Sequence, residues 1–132
     1  VLDDQSGRYS LHDWARRAMA AYDHYKADLV VGEVNNGGDM VEGTLRSSGF
    51  MGGFRAVHAS RAKHIRAEPV ARHYEQGQIS HRRPFPELED QLCTFVPDKS
   101  VVSPDRLDAL VWGFTELMLT AEVSGEAWSA IV

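Results

Sequence analysis

Asp28-Leu29-Val30-Val31-Gly32-Glu33-Val34-Asn35 is the stretch on which the fold turns. It is a short apolar run, rich in β-branched residues, and it reads as a strand buried on both faces. Near its C-terminal end it carries one carboxylate, Glu33. A charge there is costly unless it is paired, metal-bound or at the rim. Ligand sites in α/β sheets lie at the carboxyl ends of strands, so Glu33 is a candidate site residue. A rim glutamate bonded to backbone amides is an equal alternative.

The elements on either side read as helices alternating with strands. Ser10 with Asp13 resembles a helix N-cap with an acid in the first turn. Leu11, Trp14, Ala18, Ala21, Tyr22 and Tyr25 then recur at helical spacing. Asn35 to Gly38 is a turn, and 39–46 is helical. Phe54 to Ala59 alternates as a strand. Ser60 is placed to cap a helix over 61–76, which Pro69 must start, kink or divide and which Gly77 ends. Val1 to Asp4 reads as the end of a strand, and Gln78 to Ser80 as a short strand. Pro86 opens a helix to about Phe95. Ser103-Pro104-Asp105 is a strong helix start, and Leu107, Leu110, Val111, Phe114, Leu117 and Met118 form the stripe of a helix reaching about Ala121. The class is α/β around a sheet.

The chain has 132 residues, 43% hydrophobic and 25% charged, which fits one domain with a real core. The apolar start, Val1-Leu2, reads as a piece of something longer. No run is long enough to span a membrane, and no signal peptide is visible. Cys93 is the only cysteine, which excludes an internal disulfide or a cysteine-based zinc site and suggests a reducing, cytoplasmic setting. Net charge is −5, which argues against a general nucleic-acid binder. Its distribution is uneven. Residues 55–83 carry seven Lys/Arg against Glu68 and Glu75, or +5, while 1–54 sum to −3 and 84–132 to −7. Carboxylates to hold cations beside a basic surface to hold phosphates suit a metal-dependent nuclease. A solvated helix face is the plainer reading of the same charges.

Further candidates follow from spacing. Asp105 and Asp108 lie three apart in one first helical turn and can point together. Mg²⁺ or Mn²⁺ prefers such oxygen ligands, although acids there also stabilise the helix dipole. Asn35-Asn36-Gly37-Gly38 would let backbone approach a phosphate, but a tight turn is the simpler reading. Neither a Walker A loop nor a dinucleotide fingerprint occurs. The six histidines show no zinc spacing and read as surface or loop residues, with His64 and His81 in reach of phosphate in the basic segment. Trp14, Tyr22, Trp112 and Phe114 read as core.

Taken together, five blocks resemble the nuclease domain of tailed-phage terminase large subunits: 28–41, 59–71, 74–77, 88–93 and 103–112. They occur in the family's order and extend to about Leu119. Ala62 departs from the glycine common there. The resemblance implies an RNase H-like fold, a mixed sheet flanked by helices and lacking its first strands, in a single partial domain without the ATPase domain. It implies an endonuclease that hydrolyses double-stranded DNA with two divalent ions, Mg²⁺ or Mn²⁺, about 3.5–4 Å apart. Glu33, Asp105 and Asp108 would be the catalytic metal ligands, Asp108 foremost. Arg61, Lys63, Arg66, Arg82 and Arg83 would meet the DNA backbone. The family's first metal-binding aspartate would lie upstream, a role not given to Asp3 or Asp4, so the resemblance does not imply activity for the chain alone. Implied partners are DNA, the portal protein and the small terminase subunit. The main rival is a non-catalytic DNA-binding or packaging-assembly domain of phage or prophage origin. A small-ligand α/β domain using the Asn35–Gly38 turn is a third reading.

Overall fold

The computed structural model describes residues 1–35, 38–96, 104–120 and 130–131. Contacts divide the chain into two compact units, Val1–Ser6 with Arg61–Val111, and Gly7–Ser60 with Trp112–Val132.

The second unit holds the sheet. Helix α1, Leu11–Tyr25, starts where the sequence places it, with the Ser10 hydroxyl accepting from the Asp13 amide at 3.2 Å. It ends at Lys26, whose φ of 52° is left-handed. Strand β1, Leu29–Glu33, is buried up to its last residue. Helix α2, Gly38–Ser47, crosses over to β2, Gly53–Val57, which lies parallel to β1 with Leu29 opposite Gly53 and Glu33 opposite Val57. Strand β3, Ala130–Ile131, pairs parallel on the other side, so the order is β2-β1-β3. All pairings among the described strands are parallel; no antiparallel member of the mixed sheet is among them.

Two clusters fill this unit. Ala15, Val30, Leu45 and Phe50 form one, with Trp14, Tyr22 and Phe54 against it. Leu29, Val31, Val57 and Trp112 form the other. Alternate residues of β1 thus face opposite clusters, as the pleat requires. Gly32 is the exception in size: a Cβ there would come 2.6 Å from the Phe54 ring, so glycine lets that ring lie across the strand. The 48–52 loop is held by Arg46, which donates to Phe50 O and Gly52 O at 3.1 and 2.8 Å.

The first unit is helical. Helix α3, Lys63–Glu75, begins at Ala62 rather than Ser60 and has no side-chain cap. It contains Pro69, which denies Ile65 O a helical donor without ending the helix. Its C-terminus is a Schellman turn. Gly77, at φ 68°, donates to Tyr74 O at 2.9 Å and Gln78 donates to His73 O at 3.0 Å. Helix α4, Pro86–Thr94, starts at its proline. Helix α5, Asp105–Phe114, is followed by a wider π-helical segment, Thr115–Thr120, in place of one straight helix to Ala121.

The strands read at Val1 to Asp4 and Gln78 to Ser80 do not form. Val1 N donates to Ser80 O and Arg82 N to Val1 O, one parallel bridge only. Beyond it the Asp4 carboxylate accepts from the Ser6 amide at 3.0 Å, a local turn that competes with an extended chain. Strand β2 stops at Val57 because the Ala59 amide turns to the Asn35 side chain instead of a strand. Asn36 and Gly37 of the expected turn, and the 97–103 loop with its Ser103 cap, lie outside the described residues.

Candidate metal and nucleic-acid site

Glu33 is where the sheet reading placed it, exposed at the C-terminal end of β1. Its two oxygens are separately held. Trp112 Nε1 donates to Oε2 at 3.1 Å, and Asn35 Nδ2 donates to Oε1 at 2.5 Å. Asn35 in turn accepts from the Ala59 amide at 2.8 Å, which ties the carboxylate's support to the chain leaving β2. Both donors are neutral, so the negative charge of Glu33 is oriented by them rather than cancelled. Trp112 therefore does two things: its ring is buried in the core, as the sequence suggests, and its indole N–H fixes the Glu33 carboxylate. Nothing in the sequence marks that pairing.

The other two carboxylates belong to the first unit. Asp105 and Asp108 share the first turn of α5, as the spacing predicts. Their surroundings differ. Asp105 is exposed, whereas Asp108 is 8% exposed, the one buried polar or charged residue of the described core. Burial of an ionised acid is tolerated only with compensating charge. That charge comes from α3: Lys63 Nζ lies 3.3 Å from Oδ2 and Arg66 Nη1 lies 2.9 Å from Oδ1. The Arg66 approach is too poorly aligned for a hydrogen bond, and Oδ1 accepts none.

Three of the five proposed DNA-contacting cations are thereby engaged within the protein. Lys63 and Arg66 face Asp108, and Arg66 is 9% exposed. Arg83 pairs with Asp3 at 2.6 Å and stacks 4.9 Å from the Phe85 ring centroid. Arg61 and Arg82 are exposed. Asp4, the other early acid, pairs with Arg106 at 3.0 Å, so both early acids are bound up in ion pairs of this unit.

The start of α5 is secured from α4. The Gln91 side-chain oxygen accepts from the Arg106 and Leu107 amides at 3.0 and 3.1 Å, doing from another helix what an N-cap residue does locally. This support for the turn that carries Asp105 and Asp108 has no sequence signature.

His81 is not a surface residue. It is half-buried in a hydrogen-bonded chain, 2.7 Å from the Tyr74 hydroxyl through Nε2 and 2.9 Å from Glu89 through Nδ1. Glu89 lies below its ordinary pKa, first through the His81 bond and then through the Phe85 amide. Burial, then the nearby Glu89 charge, pushes the Tyr74 phenol up to about 12. His64 is exposed.

Among the described residues no three His, Cys, Asp or Glu side chains stand together as a metal-holding group. Mg²⁺ commonly takes only one or two carboxylates and completes its shell with water and substrate phosphate. Asp108 is a hard oxygen donor, but both of its oxygens face cations of α3, Arg66 at 2.9 Å and Lys63 at 3.3 Å.

Parallel strands joined through a crossover helix define an α/β class. Residues 2–117 match the family model of the terminase RNase H-like domain. The chain belongs to that family. No curated protein and no solved structure matches it. Among the described residues no helix is long and apolar enough to cross a membrane.

Proposed function

We propose that this domain is the DNA-cutting part of a phage or prophage packaging terminase, acting on double-stranded DNA as a metal-dependent endonuclease. In this reading Glu33, Asp105 and Asp108 hold two divalent ions, Mg²⁺ or Mn²⁺. Bound there, two such ions would supply an activated water and charge stabilisation for the leaving oxygen. Arg61, Arg82 and Arg83 offer charge to the DNA backbone, together with Lys63 and Arg66 to the extent that Asp108 releases them. The portal protein and the small terminase subunit are the partners that this role requires, and the bacterial cytoplasm is its setting.

The observation that carries the reading is the cluster at the start of α5. A buried carboxylate and basic side chains of α3 stand together within the residues that match the terminase RNase H-like family. The test is plasmid nicking with Mn²⁺ by the protein extended upstream, beside Glu33→Ala and Asp108→Ala. Cleavage by the parent and its loss in both variants is the expected result. Equal cutting by the variants would remove these carboxylates from the site.

A second reading has one observation in its favour, the lack of a three-residue metal-binding group among the described residues. A DNA-binding or assembly domain without catalysis would bind DNA in a salt-sensitive way, indifferent to divalent ions.

A further inference from the structure

Helices α1 and α2 run side by side in the same direction. Trp14 near the start of α1 lines a cavity with Met40 and Val41 at the start of α2, and Tyr22 near the end of α1 packs edge-on against Phe50 just past the end of α2. Each end of this pair carries an apolar feature. At the starts lies the cavity, about 270 Å³, walled by Tyr9, Leu11, Trp14, Met40 and Val41. Leu11 and Met40 are each 62% exposed. The Tyr9 wall is built in: a Cβ at Gly7 would stand 2.5 Å from the Tyr9 hydroxyl, and the Arg17 guanidinium lies 4.5 Å from the ring centroid. Past the helix ends lies Met51, 91% exposed. Its loop is clamped. Arg46 Nη1 donates to the carbonyls on both sides of it, Phe50 O and Gly52 O, while Glu42 accepts from Nε and Nη2 of the same guanidinium at 3.2 and 2.9 Å. An apolar side chain is thus held out on an ordered loop, which lowers the cost of seating it in a partner.

The cavity is smaller than most cofactor sites, which run from roughly 300 to 1,000 Å³. It suits one inserted side chain, and methionine, unbranched and polarisable, adapts to irregular apolar space. Met51 cannot fill the cavity of its own chain. Trp14 and Tyr22, which mark the two ends, are eight residues apart in α1, about 12 Å of helix. The charges of the two ends are opposite. Residues 8–17 carry Arg8, Arg16 and Arg17 against Asp13, and residues 23–28 carry Asp23 and Asp28 against Lys26. The aligned dipoles of α1 and α2 act in the same sense, positive at the cavity and negative at the Met51 end. From these relationships we propose that the second unit makes a head-to-tail contact with another copy of this chain, Met51 of one copy seated in the cavity of the next. The opposite charges of the two ends orient the approach. The two surfaces differ, so each added copy leaves one Met51 and one cavity open. The contact is independent of the nuclease reading.

Sedimentation equilibrium over a range of protein concentrations tests it, on the parent, Met51→Ser and Leu11→Asp. Both positions are exposed, and an acid suits the first turn of α1, so both variants keep the fold, which circular dichroism melts verify. The parent should gain average mass beyond that of a dimer as concentration rises. Each variant should associate at least about tenfold more weakly, as when an anchor is removed from its pocket. An equal mixture of the two should recover association at the parent's strength and stop at the dimer, because one intact Met51 meets one intact cavity and the remaining surfaces are blocked. A parent that stays monomeric, or stops at a closed dimer, overturns the head-to-tail contact. Parent-like association in either variant overturns it as well and places the contact on another face. A mixture that stays monomeric would mean that Met51 and the cavity do not meet, and the proposal falls.

Discussion

Trp112 Nε1 donates to Glu33 Oε2 at 3.1 Å across 79 positions of sequence. A core residue thereby sets the direction of the Glu33 carboxylate, a candidate site group, which the Asn35 side chain holds from its other oxygen. Replacing Trp112 with Phe keeps an aromatic ring in the core and removes the donor. Stability should fall by about 1 kcal/mol, the scale of one such hydrogen bond together with the loss of ring area. On the proposed reading, Mn²⁺-dependent cleavage by the protein extended upstream should fall by about tenfold or more, as when the supporting partner of a metal ligand is lost. Urea melts and plasmid nicking measure the two effects separately.

The start of α5 depends on Gln91. Gln91→Ala leaves the Arg106 and Leu107 amides without their acceptor, at a cost of about 1 kcal/mol. Gln91→Glu should retain the cap, because a carboxylate also accepts from amides at the positive end of a helix. Chemical denaturation of the two variants checks the contrast; equal losses would mean that the amides find another partner.

Gly77 should not tolerate a side chain. Its φ of 68° is left-handed, and alanine there costs about 1 kcal/mol although nothing crowds the position. Gly43 lies in α2 with nothing within 4 Å of an added Cβ, so Gly43→Ala should stabilise by up to about 1 kcal/mol. Thermal melts of this pair should move in opposite directions.

The Tyr74–His81–Glu89 chain has an acid-side and an alkaline-side signature. The Glu89 carboxyl is held below its ordinary value of 4.5, so its contribution is present above that pH and lost as pH falls through the lowered value. Parent and Glu89→Gln should differ in stability near neutrality and converge in strong acid. For Tyr74 the sign is reversed. Its phenol is raised from 10.0 to about 12, so its contribution is intact below 10 and disappears as pH rises through about 12. Tyr74→Phe should remove a late component from the tyrosinate absorbance titration.

The parts of this fold that were legible in the sequence are those written locally. Ser10 with Asp13 places the start of α1, the 29–34 run places β1, and Gly77 places the end of α3. Pro69, read as starting, kinking or dividing the helix, neither starts nor divides it: α3 runs through it from Lys63 to Glu75. At the site, Glu33 and the acids of α5 are conspicuous for their type and position. Their partners are not. Trp112 reads as core, Gln91 as an ordinary helical residue, and Lys63 and Arg66 as a basic surface, since each acts on a residue far along the chain. His81 looked like a phosphate contact only because its neighbours in sequence are arginines; its neighbours in space are a phenol and a carboxylate.

Asn35 uses both ends of its carboxamide at once, nitrogen toward Glu33 and oxygen toward the Ala59 amide. The arrangement therefore distinguishes nitrogen from oxygen at a single atom. Spontaneous hydrolysis of that amide to aspartate would hardly alter the size of the side chain, yet it would set two negative groups face to face at the end of β1. Ageing of the protein by deamidation would thus strike the strand end that carries Glu33, with the hydrophobic clusters left as they are.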